Sequence, residues 1–454
     1  MTRFGRILLV IVAVAFGIRV AYVAVVKSGP CPLTFADGTR VGSYPSKCLR
    51  GDELFYNAEA NYVAAGHGFN EPLSAFTHPG TTKPPPAADH PPLTVAVLTP
   101  VSWLVERAPL SWVIKEPLHD HVREHRYTMV LFGTLLVALV GLLGRRVGGD
   151  TVGLVAAGIA AVSPNIWVND GLVMSETVTA LTVVGAMLGA LWWRDRPSWR
   201  RAALLGVLCG LATLARVEWL LLVPFLVFVV AWSLAVPWAV RWKQALLVLV
   251  VTLVVLAPWV GFNLARFHDP TFVSTNDGLT LAGANCDSVY HGAAIGFWTM
   301  QSCADDPPPG DQSQVAAAFR RRGLHYLKEH AARVPLVVLT RIGRTWSLFR
   351  PLDMVKLNTG EDREATVTRL GLIAYYPTLL LAIGGLVVLW RRRSRAALWV
   401  LVVPAIIVTL NTVATYGLTR FRAGAEPSLA LLAAVGIVEL VRRTRDRRAR
   451  AITP

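Results

Sequence analysis

Apolar runs and polar breaks alternate along the chain and set most of its architecture. Runs long enough to cross about 30 Å of hydrocarbon predict spans at residues 7–26, 126–144, 151–168, 173–193, 202–217, 218–238, 244–263, 369–390, 396–415 and 427–442. Two long polar stretches, 27–125 and 264–368, interrupt the series and are rich in Pro, Gly and turn residues. Within them the residue pattern predicts helices over 53–65, 312–330 and 334–349. The segment Pro92 to Val105 is apolar but short and Pro-interrupted, so it and the latter two helices are expected to lie along the membrane interface. The expected fold class is an all-α polytopic membrane protein, a transmembrane bundle of about ten helices with two large loops carrying interfacial helices. Its parts are a first helix (1–26), a first loop (27–125), a helical block (126–263), a second loop (264–368), C-terminal helices (369–442) and a basic tail (443–454).

Composition agrees with this pattern. Of 454 residues, 54% are hydrophobic and 16% charged, with a mean hydropathy of +0.47, which separates the chain from soluble domains of its length. The net charge of +16 would suggest nucleic acid if the arginines shared one exposed face. They sit instead in flanks between apolar runs: Arg3 and Arg6, Arg145 and Arg146, Arg194 to Arg201, Arg241 and Lys243, Arg391 to Arg395, and Arg442 to Arg450. With the spans as placed, every cluster falls on one side, which the positive-inside rule makes cytoplasmic. Both long loops then face outward, and no nucleic-acid partner is expected. Val334–Phe349 must not cross, in keeping with Arg341 and Arg344 in its interior. Ile7–Val26 is too long for a signal-peptide core and lacks a small-residue cleavage site, so it reads as a retained anchor.

Each outer loop holds two cysteines, Cys31 with Cys48 and Cys286 with Cys303, while Cys209 is alone in a predicted span. This arithmetic fits one disulfide per loop in an oxidising compartment, the alternative being four free thiols. The chain shows no internal repeat and no phosphate-binding glycine loop.

Chemistry concentrates in the first loop. Asp52 and Glu53 open the run DELFYNAEANYVAA, which Gly66 and Gly68 end. Helical spacing puts Asp52, Tyr56 and Glu59 on one side and Phe55, Ala58 and Tyr62 on another. The acid side is expected to face a cavity and the apolar side the membrane surface. Asp52 is equally placed to cap the helix, a purely structural use. Downstream, KPPPAADHPPL breaks the helix and sets Asp89 and His90 at the entrance to the next one; a lone histidine there also has an ordinary structural reading.

This order of elements resembles the GT-C glycosyltransferases, in particular the group of protein O-mannosyltransferases and lipid A aminoarabinose transferases. The resemblance continues through Ser163-Pro164-Asn165, Asn169 to Glu176, the glycine-bearing Gly206 to Arg216, and Pro258-Trp259 with Asn263. The chain departs from the group in having Glu176 where an Asp is common, and Arg216 followed by Glu218 in place of Lys-Gly. Its second loop, with Ser274 to Gly278 and Gly283 to Cys286, is its own.

The resemblance implies an inverting transfer of a sugar from a polyprenyl-phosphate donor to a hydroxyl acceptor, whether glycan, lipid or protein, on the outer face of the plasma membrane. It implies Asp52 as the base, its pKa lifted toward neutrality, with Glu53 as helper or alternative and Glu176 completing the acid pair. Tyr56 and His90 are expected to contact substrate. The lipid phosphate calls for cations, and Arg216, Arg341, Arg344, Arg420 and Arg422 are the candidates, each of which can instead reach lipid headgroups. Arg320, Arg321 and Arg322 read as headgroup contacts, and Tyr290 and Trp298 as sugar-stacking or interface residues. Asp52, Glu53, Asp89 and His90 match no recognised metal signature, so no metal or other cofactor is expected. The Ala-, Val- and Arg-rich composition points to a GC-rich bacterial genome. A lipid-linked-sugar flippase or other transporter is the rival reading; it would place ionisable groups near the membrane midplane, often with repeats. A non-catalytic assembly subunit is a third.

Overall fold

The computed structural model describes residues 2–34, 40–46, 48–72, 84–106 and 121–452. Every predicted span coincides with helical structure. In chain order the principal elements are α1 (Arg3–Val25), strands β1 (Ser28–Thr34) and β2 (Arg40–Ser46), α2 (Asp52–Ala64), α3 (Leu93–Glu106), α4 (Val122–Gly148) and α5 (Asp150–Val162). There follow α6 (Pro164–Trp167), α7 (Ser175–Asp195), α8 (Trp199–Ala215), α9 (Phe228–Trp232) and α10 (Trp238–Leu264). The second loop contributes α11 (Asn276–Ala284), α12 (Asp287–Tyr290), α13 (Gln312–Glu329), α14 (Val334–Thr345) and α15 (Pro351–Asn358), and the chain ends with α16 (Ala365–Arg391), α17 (Arg395–Ala414) and α18 (Glu426–Ile452).

Among the described residues, six helices are long and apolar enough to cross a membrane individually: α1, α4, α7, α10, α16 and α17. The predicted span 151–168 is not one straight helix. It bends by 60° between α5 and the segment Pro164–Gly171, because Pro164 starts a new helix at its first turn and cannot continue the old one. The predicted span 218–238 is likewise broken into a 3₁₀ turn (Val217–Leu221), a π turn (Val223–Val227) with Pro224 at its start, and α9. The chain is a multi-pass membrane protein.

The fold is not purely helical. β1 and β2 form an antiparallel pair in the first loop, a hairpin the hydropathy pattern passes over although the sequence between the strands contains Asp37-Gly38, a favoured hairpin dipeptide. Cys48 is disulfide-bonded, whereas the side chain of its predicted partner Cys31 lies outside the described residues. Cys286 and Cys303 are bridged, and Cys209 is free and buried.

Bundle packing relies on close backbone approach. α16 and α18 pair most extensively, α4 lies along α5, and α8 lies against α10. A Cβ built on Gly385 of α16 would overlap the Leu432 carbonyl oxygen of α18, and one on Gly436 of α18 would overlap the Leu381 carbonyl oxygen. Backbone cannot retreat as a flexible side chain does. Gly385→Ala should therefore destabilise the protein by about 1–3 kcal/mol or more, read as a lowered thermal unfolding midpoint in detergent.

Candidate active site

α2 begins at the site because Gly51 turns the chain there. Its φ of 58° is costly for other residues, and Asp52 follows as the first helical residue, not as the capping one. Adjacent residues on a helix diverge by about 100°, and the two acids part accordingly. Asp52 opens into a cavity of about 500 Å³ lined also by Phe55, Tyr56, His90, Ser175, Arg216, Trp298, Tyr416 and Arg420. Phe55 thus faces this cavity, contrary to the expectation that it rests on the membrane surface.

Glu53 points the other way and is fully buried. Its Oε1 accepts the Val173 N–H at 2.7 Å, and Oε2 lies 3.8 Å from Arg126. Arg126 also donates to the Lys27 carbonyl and to Asp362, while Lys27 pairs with Asp362 and Glu364. Burial pushes the Glu53 carboxyl above its ordinary range, against the pull of Arg126 and Lys27. Glu53 therefore anchors α2 to the turn before α7. Glutamine can accept the same N–H, so in the sugar-transfer assay that the resemblance calls for, Glu53→Gln should keep the rate within about tenfold of wild type, far from the loss general-base removal produces.

The centre of the site is Arg420, in the 3₁₀ segment Thr419–Gly424. Its Nη2 lies 2.6 Å from Asp52 Oδ2, its Nε 2.9 Å from Glu176 Oε1, and its Nη1 contacts Glu361. Arg216, the residue that ends α8, lies 2.7 Å from Glu218 and 3.5 Å from Glu176. His90 Nε2 stands 3.5 Å from Asp52, and its ring packs on Phe55 and Tyr56 with centroids 4.7 Å from each. Four carboxylates (Asp52, Glu176, Glu218, Glu361) thus surround two guanidiniums.

Asp52 is 30% exposed to the cavity. Burial alone would raise its carboxyl, but Arg420 and then His90 overcome that and hold it well below the usual carboxylate range. The expectation of a base lifted toward neutrality is therefore not met in this state, because a charge-assisted pair with Arg420 favours the ionised form.

Other predicted residues lie elsewhere. Arg341 is buried with its guanidinium against the Ala284 and Val413 carbonyls and the Asn285 side chain, and Arg344 donates to the Ile295 and Ala293 carbonyls at 2.6 Å each. Neither reaches the cavity. Both hold the second loop in place, since an arginine fork fits a niche of carbonyl oxygens as well as it fits phosphate. Arg422 pairs with Glu426 at 3.0 Å, donates to Ser347 and covers the Tyr375 ring. Tyr290 is buried on Asn285, whereas Trp298 lines the cavity, stacked on Tyr416. Arg320 and Arg322 pair with Asp277 and Asp306. Asp89 binds Gln312 and Glu53 faces away, so the four residues weighed as a carboxylate–histidine group do not converge. No grouping of three metal-type side chains occurs among the described residues.

Glu361 and Tyr416 are site residues that the sequence reading missed. Glu361 lies in Glu361-Asp362-Arg363-Glu364, a density of charge just before an apolar span, and that density is the signal that could have found it.

A family model described as dolichyl-phosphate-mannose-protein mannosyltransferase matches residues 87–270. No curated protein matches the chain. Among solved structures, the archaeal oligosaccharyltransferase AglB from Archaeoglobus fulgidus, in complex with an inhibitory peptide and a dolichol-phosphate, aligns with TM-score 0.55 at 14% identity over 99% of this chain and 52% of its own. The same organism's oligosaccharyltransferase tethered to an acceptor peptide gives 0.57 at 15%, over 98% and 50%. ArnT from Cupriavidus metallidurans bound to undecaprenyl phosphate gives 0.40 at 15%, over 86% and 74%. The chain spans about half the length of the oligosaccharyltransferases it matches. The chain shares the fold of these oligosaccharyltransferases and is similar over residues 87–270 to the protein mannosyltransferases.

Proposed function

We propose that the protein is an inverting glycosyltransferase that moves a sugar from a polyprenyl-phosphate donor to a hydroxyl acceptor on the outer face of the plasma membrane. The observation that carries this reading is Asp52, a partly exposed carboxylate opening into a 500 Å³ cavity and bridged by Arg420 to Glu176 and Glu361. The mannosyltransferase match over residues 87–270 supports a lipid-phosphate sugar as donor. Orientation has a geometric support too. Glu176 stands at the start of the 21-residue α7, while Asp195 at its end pairs with Arg146; at 1.5 Å per residue, about 30 Å separates the acid cluster from that basic end.

Arg420 links binding to basicity. All three of its nitrogens face carboxylates, so a donor phosphate must compete with Asp52 for it. A phosphate oxygen that takes Nη2 leaves Asp52 without its strongest partner, which raises its basicity as the donor arrives. Asp52 then accepts the acceptor's hydroxyl proton while that oxygen attacks the anomeric carbon and the phosphate departs with the bonding pair. Arg420, with Arg216 beside it, stabilises the charge growing on the leaving oxygen. His90 and Tyr56 wall the sugar pocket, and no metal is needed for any of these steps.

The test is a transfer assay with the full-length chain in nanodiscs and radiolabelled polyprenyl-phosphate sugars. Label should move from the lipid to a hydroxyl acceptor with inversion at the anomeric carbon. Lipid movement across the bilayer without any label transfer would sink the reading in favour of a flippase.

A further inference from the structure

The 500 Å³ cavity has two unlike walls. One carries Asp52 and the ion pairs around Arg420. The other is built by the second loop, from Asp269 to Thr280, with Trp298, Met300 and Arg320. The two are joined through residues 88–90. Thr275 donates its N–H to the Ala88 carbonyl, Ser274 its hydroxyl to the Asp89 carbonyl, and Gln312 its amide to the Asp89 carboxylate. His90, next in sequence, lies 3.5 Å from Asp52. A molecule seated on the second-loop wall therefore has the proposed base as a neighbour.

What that wall offers decides what it holds. Its backbone is already engaged: the N–H groups of Asp269, Thr275 and Asn276 go to Ser313, Ala88 and Ser274. Main-chain hydrogen bonds are what secure an extended peptide on a protein wall, and these three donors are closed to one. The side chains are open instead. The Asp269 carboxylate and the Asn276 amide are half-buried in the cavity lining and make no hydrogen bond among the described residues. Arg320 is occupied by Asp277 at 2.7 Å. A carboxylate accepts from several hydroxyls, and an amide both gives and accepts, which matches a ligand dense in hydroxyl groups.

The same lining holds a fixed aromatic plane. Trp298 stacks on Tyr416 with centroids 5.9 Å apart and an interplanar angle of 30°, and its Nε1 donates to the Leu279 carbonyl at 3.4 Å. A Cβ on Gly283 would fall 2.3 Å from that Nε1 and 2.8 Å from the Thr299 carbonyl oxygen, so glycine leaves the indole its place. The Cys286–Cys303 bridge closes the segment that carries it. An indole held in this way covers the C–H face of a sugar ring and leaves the hydroxyls at the ring's edge for polar partners.

We propose that the acceptor is a saccharide, seated on the second-loop wall with Trp298 as its platform and Asp269 and Asn276 as partners of its hydroxyls. This assignment rests on the transfer reaction proposed above and specifies which hydroxyl receives the sugar. One saccharide hydroxyl gives its proton to Asp52, and its oxygen bonds to the donor's anomeric carbon. The bond from that carbon to the phosphate oxygen breaks, and its electron pair leaves with the phosphate. Trp298, Asp269 and Asn276 stand outside the ion-pair cluster, so acceptor recognition is separable from donor recognition.

The full-length chain in nanodiscs, free of sugar-based detergent, should be given radiolabelled polyprenyl-phosphate sugars. Tagged mannotriose, maltotriose and cellotriose compete as acceptors with a serine- and threonine-rich peptide and with dodecanol. Label should pass to at least one saccharide faster than to the peptide or the alcohol. Trp298→Ala should raise the saccharide KM at least about tenfold with little change in the donor KM, and Trp298→Phe should restore most of the loss. A merely structural tryptophan would lower the unfolding midpoint without separating the two KM values. Gly283→Ala, which displaces the indole, should act in the same direction. If these variants fail to fold, Asp269→Leu should still raise the saccharide KM. Preferred transfer to the peptide or the alcohol, or equal shifts in both KM values, would overturn the assignment. Sugar released only to water, with no saccharide product, would overturn it too while leaving the donor reaction standing. No release from any donor is a distinct result, and it would remove the transfer reaction itself and this assignment with it.

Discussion

Asp52→Asn should lower sugar transfer by roughly 10²–10⁴-fold, the range associated with loss of a positioned general base, while leaving the protein folded. Both halves follow from geometry. Asparagine has the same shape, and its amide oxygen can still accept from Arg420 Nη2, which sits 2.6 Å from the carboxylate in the native chain. Arg420 also keeps Glu176 and Glu361, so no cation is stranded. What disappears is the capacity to take a proton from an attacking hydroxyl. The measurement is initial transfer rate per folded protein, with unfolding midpoints alongside. A variant that folds and transfers at the native rate would remove Asp52 from the chemistry.

Removing Arg420 should do more harm. Arg420→Ala leaves Asp52, Glu176 and Glu361 facing one another without their shared cation, and Glu176 and Arg420 are 1% and 5% exposed. Breaking a buried ion pair by deleting one partner typically costs about 3–5 kcal/mol, so this variant should unfold at a much lower temperature and show no transfer. Arg420→Lys is the more informative change. A single ammonium cannot span three carboxylates as the planar fork does, so transfer should fall at least tenfold, while Lys→Arg reversion restores it.

The pH dependence carries a definite sign. Since Arg420 holds the Asp52 carboxyl below its usual range, the stabilisation from that pair is present above the unfolded carboxylate value of about 3.9 and is lost as pH falls toward the lower folded value. Wild type should resist mild acid. In Arg420→Lys the carboxyl returns upward, so both stability and activity should decline at a higher pH than in wild type, as parallel unfolding and activity profiles would record.

The fold was largely legible because a span needs only length and apolarity, and both are local. Where a span is broken, the cause was local too but easily discounted: Pro164 and Pro224 sit inside runs greasy enough to read as continuous. The hairpin of the first loop escaped because the reading weighed hydropathy there, not turn chemistry. At the site, the Asp52-Glu53 pair was visible because two acids at a helix start are unusual, and helical geometry alone implied that one would face away. Arg420 stood out by basic density next to a helix. Arg341 and Arg344 looked the same in sequence and are different in space. Whether a guanidinium meets a carboxylate cluster or a ring of carbonyls depends on which loop folds over it, and no local pattern encodes that.

The residues around Arg420 come from positions 52, 176, 361 and 420, so they are made in that order by a ribosome. Until Arg420 is synthesised, a nascent chain already inserted in the bilayer carries the acids without their common counter-ion and with every reason to repel one another. A chain that has not reached Arg420 therefore lacks the ion-pair network on which the proposed chemistry depends. It completes this network in one late step, when the turn between the last two helices docks, and a product terminated before that turn carries the acids without their arginine.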